Sequence, residues 1–187
     1  EYNIKQPYLL YIGRLENKKN ITGLLNGFRQ YCQNQPQSQL KLVLAGKRSP
    51  DFSQISNLLS DPILAERCLE LGWTPETALP SLLRQAQAFV FPSWYEGFGL
   101  PVLEAMASGT PVLSSDTGSL PEIGAEAVLY FDPADATDLA AKIKLISEDN
   151  SLRQRLIEAG LKRAADFSWA KTAQETLNIL EEVHVAK

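Results

Sequence analysis

Two carboxylates, Glu96 and Glu104, stand eight positions apart and enclose the segment Gly97-Phe98-Gly99-Leu100-Pro101. Before them Ala88-Phe89-Val90-Phe91 is a short apolar run suited to a buried parallel strand, stopped by Pro92. After them Pro101 suits a first helical turn, Val102, Leu103, Met106 and Ala107 recur at helical spacing, and Gly109 closes the element. This is strand, loop, helix. In an open α/β sheet such a loop lies at the carboxyl end of its strand, where ligands bind, and the amides of Gly97 to Leu100 are free to meet an anion. Helical side chains lean toward the N-terminus, so Glu104 reaches back toward the mouth that holds Glu96. The dipole of that helix end is expected to keep both carboxylates ionised, as acceptors. Ionised acceptors beside a nest of amide donors fit a ligand with vicinal hydroxyls at its ends and phosphates in its middle, which describes a nucleotide sugar.

A second group lies earlier. Tyr8-Leu9-Leu10-Tyr11-Ile12-Gly13 reads as a strand ending in glycine, and Arg14-Leu15-Glu16-Asn17-Lys18-Lys19-Asn20 follows it. If the sheet is parallel, these cations face the same crevice as the Glu96 loop, Arg as a bidentate fork and Lys as a mobile point charge for phosphate. Without the downstream segment, Lys18 and Lys19 would read as an ordinary solvated turn.

The run Glu96-x7-Glu104 with Gly97-Phe98-Gly99-Leu100-Pro101 inside it, continued by Ala105-Met106-Ala107-Ser108-Gly109-Thr110-Pro111-Val112, resembles the donor-binding signature of glycosyltransferase family 4. The resemblance implies that Glu96 contacts hydroxyls of the donor sugar, that Gly97, Phe98, Gly99 and Leu100 offer amides to sugar or phosphate, and that Glu104 binds the ribose diol. It also implies that Gly13-Arg14-Leu15 with Lys19 grips the diphosphate, Arg14 and Lys19 stabilising the leaving group without a metal or other cofactor; Lys18 stays on the surface. Asn20 stands where glycine is also common in that family. Backbone groups after Gly72 would face the nucleobase, which makes Trp73 and Thr74 candidates, although Trp73 reads equally well as a partly buried packing residue. Gly118 and Ser119 would line the donor pocket or form a plain turn.

The elements that must position these groups follow from periodicity. Leu40 to Gly46 is a second strand, a helix is expected around Gln54 to Leu64, and Cys68 to Leu71 is a short strand. Pro75 opens a helix through Leu79 and Leu83, Val112 to Ser114 and Ala127 to Tyr130 are further strands, and Asp132-Pro133-Ala134-Asp135 serves as turn and N-cap. From about 151 the tail to 187 is helical, broken near Phe167-Ser168-Trp169 with Ser168 as cap, a feature shared with family 4, where the final helix packs toward the other domain. Six or seven short strands alternating with helices specify a doubly wound, Rossmann-like α/β domain. The resemblance covers almost the whole chain and implies the C-terminal half of a two-domain GT-B architecture.

At 187 residues and 44% hydrophobic content the chain supports a single domain with one core. A net charge of −4 argues against a nucleic-acid or anionic-membrane surface. Two isolated cysteines fit a reducing cytoplasmic setting, and no apolar run is long enough to span a bilayer. A P-loop is excluded, a dinucleotide fingerprint fails because Val102 stands where its third glycine belongs, and there is no Ser-His-Asp set, since the one histidine, His184, lies near the end of the chain and reads as solvated. The expected function is donor binding for retaining hexosyl transfer, mannosyl or glucosyl, to a glycan or lipid-linked acceptor. The expected partner is an N-terminal domain in the same or another chain, which supplies acceptor contacts and any peripheral membrane association. The alternatives are a non-catalytic nucleotide-sugar module, one subunit of a split transferase, and a sugar-nucleotide epimerase.

Overall fold

A computed structural model describes residues 2, 4, 5 and 7–185. The strands are β1 (Tyr8–Ile12), β2 (Lys41–Ala45), β3 (Cys68–Gly72), β4 (Ala88–Phe91), β5 (Val112–Ser115) and β6 (Val128–Phe131). All pairings are parallel, in the order β3-β2-β1-β4-β5-β6. β1 and β4 read as unbroken apolar runs because both of their faces are covered. Leu9 and Tyr11 point into one layer and Tyr8 and Leu10 into the other.

The first layer holds α1 (Ile21–Asn34), α2 (Ser53–Leu59), α3 (Pro62–Arg67) and α7 (Ala136–Glu148). The second holds α4 (Leu79–Gln85), α5 (Leu100–Ala107) and α6 (Leu120–Gly124). The helix α8 (Asn150–Ala164) joins them, with Leu152 and Leu156 on the first core and Ala159 and Ala164 on the second. A doubly wound sheet is thus present, with six strands.

The single helix expected around Gln54 to Leu64 is instead two. Pro62 cannot donate to the preceding turn, so the chain restarts there, with Asp61 accepting from the amides of Ile63 and Leu64 at 2.9 and 3.4 Å. Pro75 likewise opens a single 3-10 turn, Glu76–Ala78, before α4 begins. Asp135 caps α7 as its sequence position suggests, and Ser168 Oγ accepts from the amide of Lys171 at the start of α9 (Trp169–Val185). Every residue of α9 from Trp169 to His184 is exposed, including Leu177, Ile179, Leu180 and Val183. No described helix is long and apolar enough to cross a membrane.

Strand order reverses between β1 and β4, and the crevice beyond their carboxyl ends is where such sheets bind ligands. The loops 13–20 and 92–99 form its walls.

Candidate functional site

Ladder-like bonds continue past the ends of β1 and β2 and stiffen the first wall. Gly13 N donates to Ala45 O at 2.9 Å, Leu15 N to Lys47 O at 2.9 Å, and Ser49 N to Leu15 O at 3.2 Å. Beneath, the buried Tyr11 hydroxyl donates to Arg14 O at 3.0 Å. Burial, with the charges of Glu16 and Glu96 adding, pushes this hydroxyl's pKa far above the ordinary phenol value, so it stays a donor. A 3-10 turn, Asn17–Lys19, then delivers Lys19 to the crevice.

The chain leaves that turn through Asn20, which is buried and left-handed at φ 55° and ψ 37°. Its Oδ1 accepts from Gly23 N at 3.2 Å, capping α1, and its Nδ2 donates to Pro133 O at 2.9 Å, tying the loop to the start of α7. Glycine adopts such a left-handed backbone without strain, which agrees with the glycine that the resemblance leads one to expect here.

The second wall is braced by residues on the far side of β5. Ser115 Oγ donates to Ser93 O at 2.6 Å, and Ser119 Oγ lies 2.9 Å from Glu96 O and 2.8 Å from Phe98 O, a bifurcated donor to both carbonyls. Gly118, at φ 58°, lies so close that a Cβ there would stand 3.0 Å from Glu96 O. Gly99 precedes α5 at φ 110°, a conformation that favours glycine, and a Cβ on it would meet Leu120 at 2.8 Å. Pro101 sits in the first turn of α5 as its position in the sequence predicts. Among the described residues, the amides of Gly97, Phe98, Gly99 and Leu100 donate to no protein acceptor.

Lys19 and Glu96 meet across the crevice. Lys19 Nζ lies 2.7 Å from Glu96 Oε1, their side chains only 25% and 16% exposed. They share a cleft of about 310 Å³ with Tyr11, Gly13, Phe91, Phe98, Gly99, Leu100 and Pro101. Five of the predicted positions beside these two, Gly13, Phe98, Gly99, Leu100 and the adjoining Gly97, therefore gather where the sequence placed them.

Other predicted residues stand apart from that cleft. Arg14 is exposed, and its guanidinium makes no ion pair among the described residues; Lys18 is on the surface beside Glu16 at 3.6 Å. Trp73 is 67% exposed, which overturns its reading as a partly buried packing residue. Thr74 is buried, its hydroxyl donating to Gly72 O at 3.3 Å. Glu104 borders a neighbouring, largely apolar cavity of about 540 Å³ that it shares with Phe98, Leu100, Leu103, Phe167 and Trp169. Phe98 and Phe167 meet edge to face there at 6.0 Å.

At Glu104 the stabilising effect expected of the helix end is outweighed by the surroundings. Loss of hydration against this apolar wall, and then the charge of Glu76, push its carboxyl upward although one side is open to water. Glu104 is the fifth residue of α5, and the helix-end field falls off within the first turn.

Residues 1–163 match the family model of the "Glycosyl transferases group 1". Among curated proteins the chain is 39% identical over 173 residues to the O-antigen chain mannosyltransferase B of Escherichia coli, covering 92% of this chain and 45% of that protein. Among solved structures it is similar to a sucrose-phosphate synthase from Thermosynechococcus elongatus, at 31% identity and TM-score 0.83, over 98% of this chain and 47% of that one. An Anabaena protein crystallised with UDP and glucose shares the fold at 19% identity and TM-score 0.83, over 95% of this chain and 48% of that one. The chain spans under half the length of each of these relatives.

Proposed function

From the chain's place in the glycosyl transferases group 1 family, to which it belongs, we propose that it is the donor-binding half of a GT-B hexosyltransferase. The observation that carries this reading is the meeting of Lys19 and Glu96 in one cleft beside the unpaired amides that lead into α5. A diphosphate finds a cation and amide donors there, and a sugar finds a carboxylate acceptor. Glu104, a short way along the same helix, holds the ribose diol, and the backbone near Trp73 and Thr74 meets the base.

In this reading transfer is retaining. The bond between the anomeric carbon and the phosphate oxygen breaks as an acceptor hydroxyl oxygen bonds to the same face of that carbon, the electron pair leaves with the diphosphate, which takes up the hydroxyl's proton, and the growing charge is met by Lys19, by the amides and by Arg14 swinging in from the surface. The likeness to a mannosyltransferase of Escherichia coli favours a mannosyl donor. An N-terminal domain, in the same chain or a partner, supplies the acceptor site; the share of each relative that this chain spans supports that need.

Calorimetric titration of the 187-residue chain with UDP, GDP, ADP and their hexose conjugates tests the reading. One base should bind, and Glu104→Ala and Arg14→Ala should each weaken it about tenfold, ~1.4 kcal/mol. A folded wild type that binds none of them at millimolar concentration overturns it.

A further inference from the structure

The ion pair between Lys19 and Glu96 occupies the place where, on the donor-binding reading, two separate ligand groups belong. Neither side chain has another hydrogen-bond or ion-pair partner among the described residues. Around them the cleft is walled by Tyr11, Phe91, Phe98 and Pro101, and both charged side chains are largely covered, so their attraction is screened less than that of an exposed pair. On the first wall the carboxylate of Glu16 is turned toward Lys18 at 3.6 Å. Glu96 is therefore the resident anion of Lys19.

We propose that Glu96 competes with the diphosphate for Lys19, and that this competition makes the site select a sugar-bearing donor over the bare nucleoside diphosphate. The inference rests on the donor-binding reading and adds a specificity role for the pair. A bare diphosphate must draw Lys19 away and leave Glu96 in a mostly buried cleft, unpartnered and facing a second anion. An intact donor draws Lys19 away as well, but its sugar hydroxyls donate to the carboxylate left behind. The exchange is balanced for the conjugate and unbalanced for the bare diphosphate. After transfer, the sugar hydroxyls are gone, and re-formation of the pair pushes the spent diphosphate out.

The test compares affinities of the nucleoside diphosphate, its hexose conjugate and inorganic pyrophosphate for wild type, Glu96→Gln, Glu96→Ala and Lys19→Met, with circular dichroism confirming each fold. Removing the carboxylate should tighten the bare diphosphate and pyrophosphate by roughly three- to tenfold while weakening the conjugate, so the preference for the conjugate shrinks by more than tenfold. Lys19→Met should weaken all three ligands. If the bare diphosphate binds folded Glu96→Gln and Glu96→Ala no better than wild type, while the conjugate still binds wild type, the competition is refuted and donor binding survives. Equal tightening of conjugate and bare diphosphate refutes the selectivity. Binding of neither by wild type removes the donor reading and the inference together.

Discussion

Replacing Asn20 separates three contributions that the structure assigns to one side chain. Asn20→Ala removes the cap acceptor of α1, worth about 1 kcal/mol. It leaves the carbonyl of Pro133, reached at 2.9 Å from a site only 1% exposed, without its donor, at about 1–3 kcal/mol. Its β-carbon stands at φ 55° just as the wild type's does, so the left-handed strain is kept rather than added. The expected loss is about 2–4 kcal/mol, a large share of the ~5–15 kcal/mol of a whole domain. Asn20→Gly shares the loss at Pro133 but relieves the left-handed strain of about 1–2 kcal/mol that the wild type carries, and glycine costs only a few tenths as a cap. It should therefore lose no more than about 2 kcal/mol. Urea unfolding followed by fluorescence reads both, and the slopes should match wild type so that midpoints compare directly. The order should be Asn, then Gly, then Ala. An alanine variant as stable as the glycine variant would refute the conformational argument, and two variants within ~0.5 kcal/mol of wild type would refute the buried bond.

Glu104 gives a pH-dependent test. Its folded pKa is raised, so folding favours the protonated acid; that contribution is present below the unfolded value, near 4.3, and is lost as pH rises through the folded value. Glu104→Gln should thus raise the melting temperature at pH 7 and leave it unchanged near pH 3, and a gain of equal size at both would contradict the assignment. Ser119→Ala removes the donor shared by Glu96 O and Phe98 O; it should cost about 1 kcal/mol of stability and weaken a nucleotide-sugar ligand several-fold, with the far smaller loss in a Ser151→Ala control read by the same titration.

The sheet was legible because parallel strands covered on both faces leave dense apolar runs, and because proline and glycine mark their ends. The meeting of Lys19 with Glu96 was legible too, since strand order alone carries the ends of β1 and β4 to one crevice. What stayed hidden depends on contacts distant in sequence. Ser119 braces a carbonyl 23 positions away, and nothing in Gly118-Ser119-Leu120 separates that role from an ordinary turn. Glu104 feels the charge of Glu76, which stands far from it in the sequence, a neighbour that helical spacing does not reveal. The left-handed backbone of Asn20 left one trace, the glycine that the family resemblance leads one to expect there, but the bond to Pro133 spans 113 positions and left none.

The bare surface of α9 bears on how the chain opens. Seventeen residues held by their own backbone bonds, with no side chain from Trp169 to His184 buried, sit near the length at which a helix is only marginal in water. The sheet and its two helical layers melt together, because the inner strands β2, β1, β4 and β5 are buried almost throughout. The last helix shares none of that core and frays by itself, a separate low-energy cooperative unit that gains nothing from any stabilisation of the sheet.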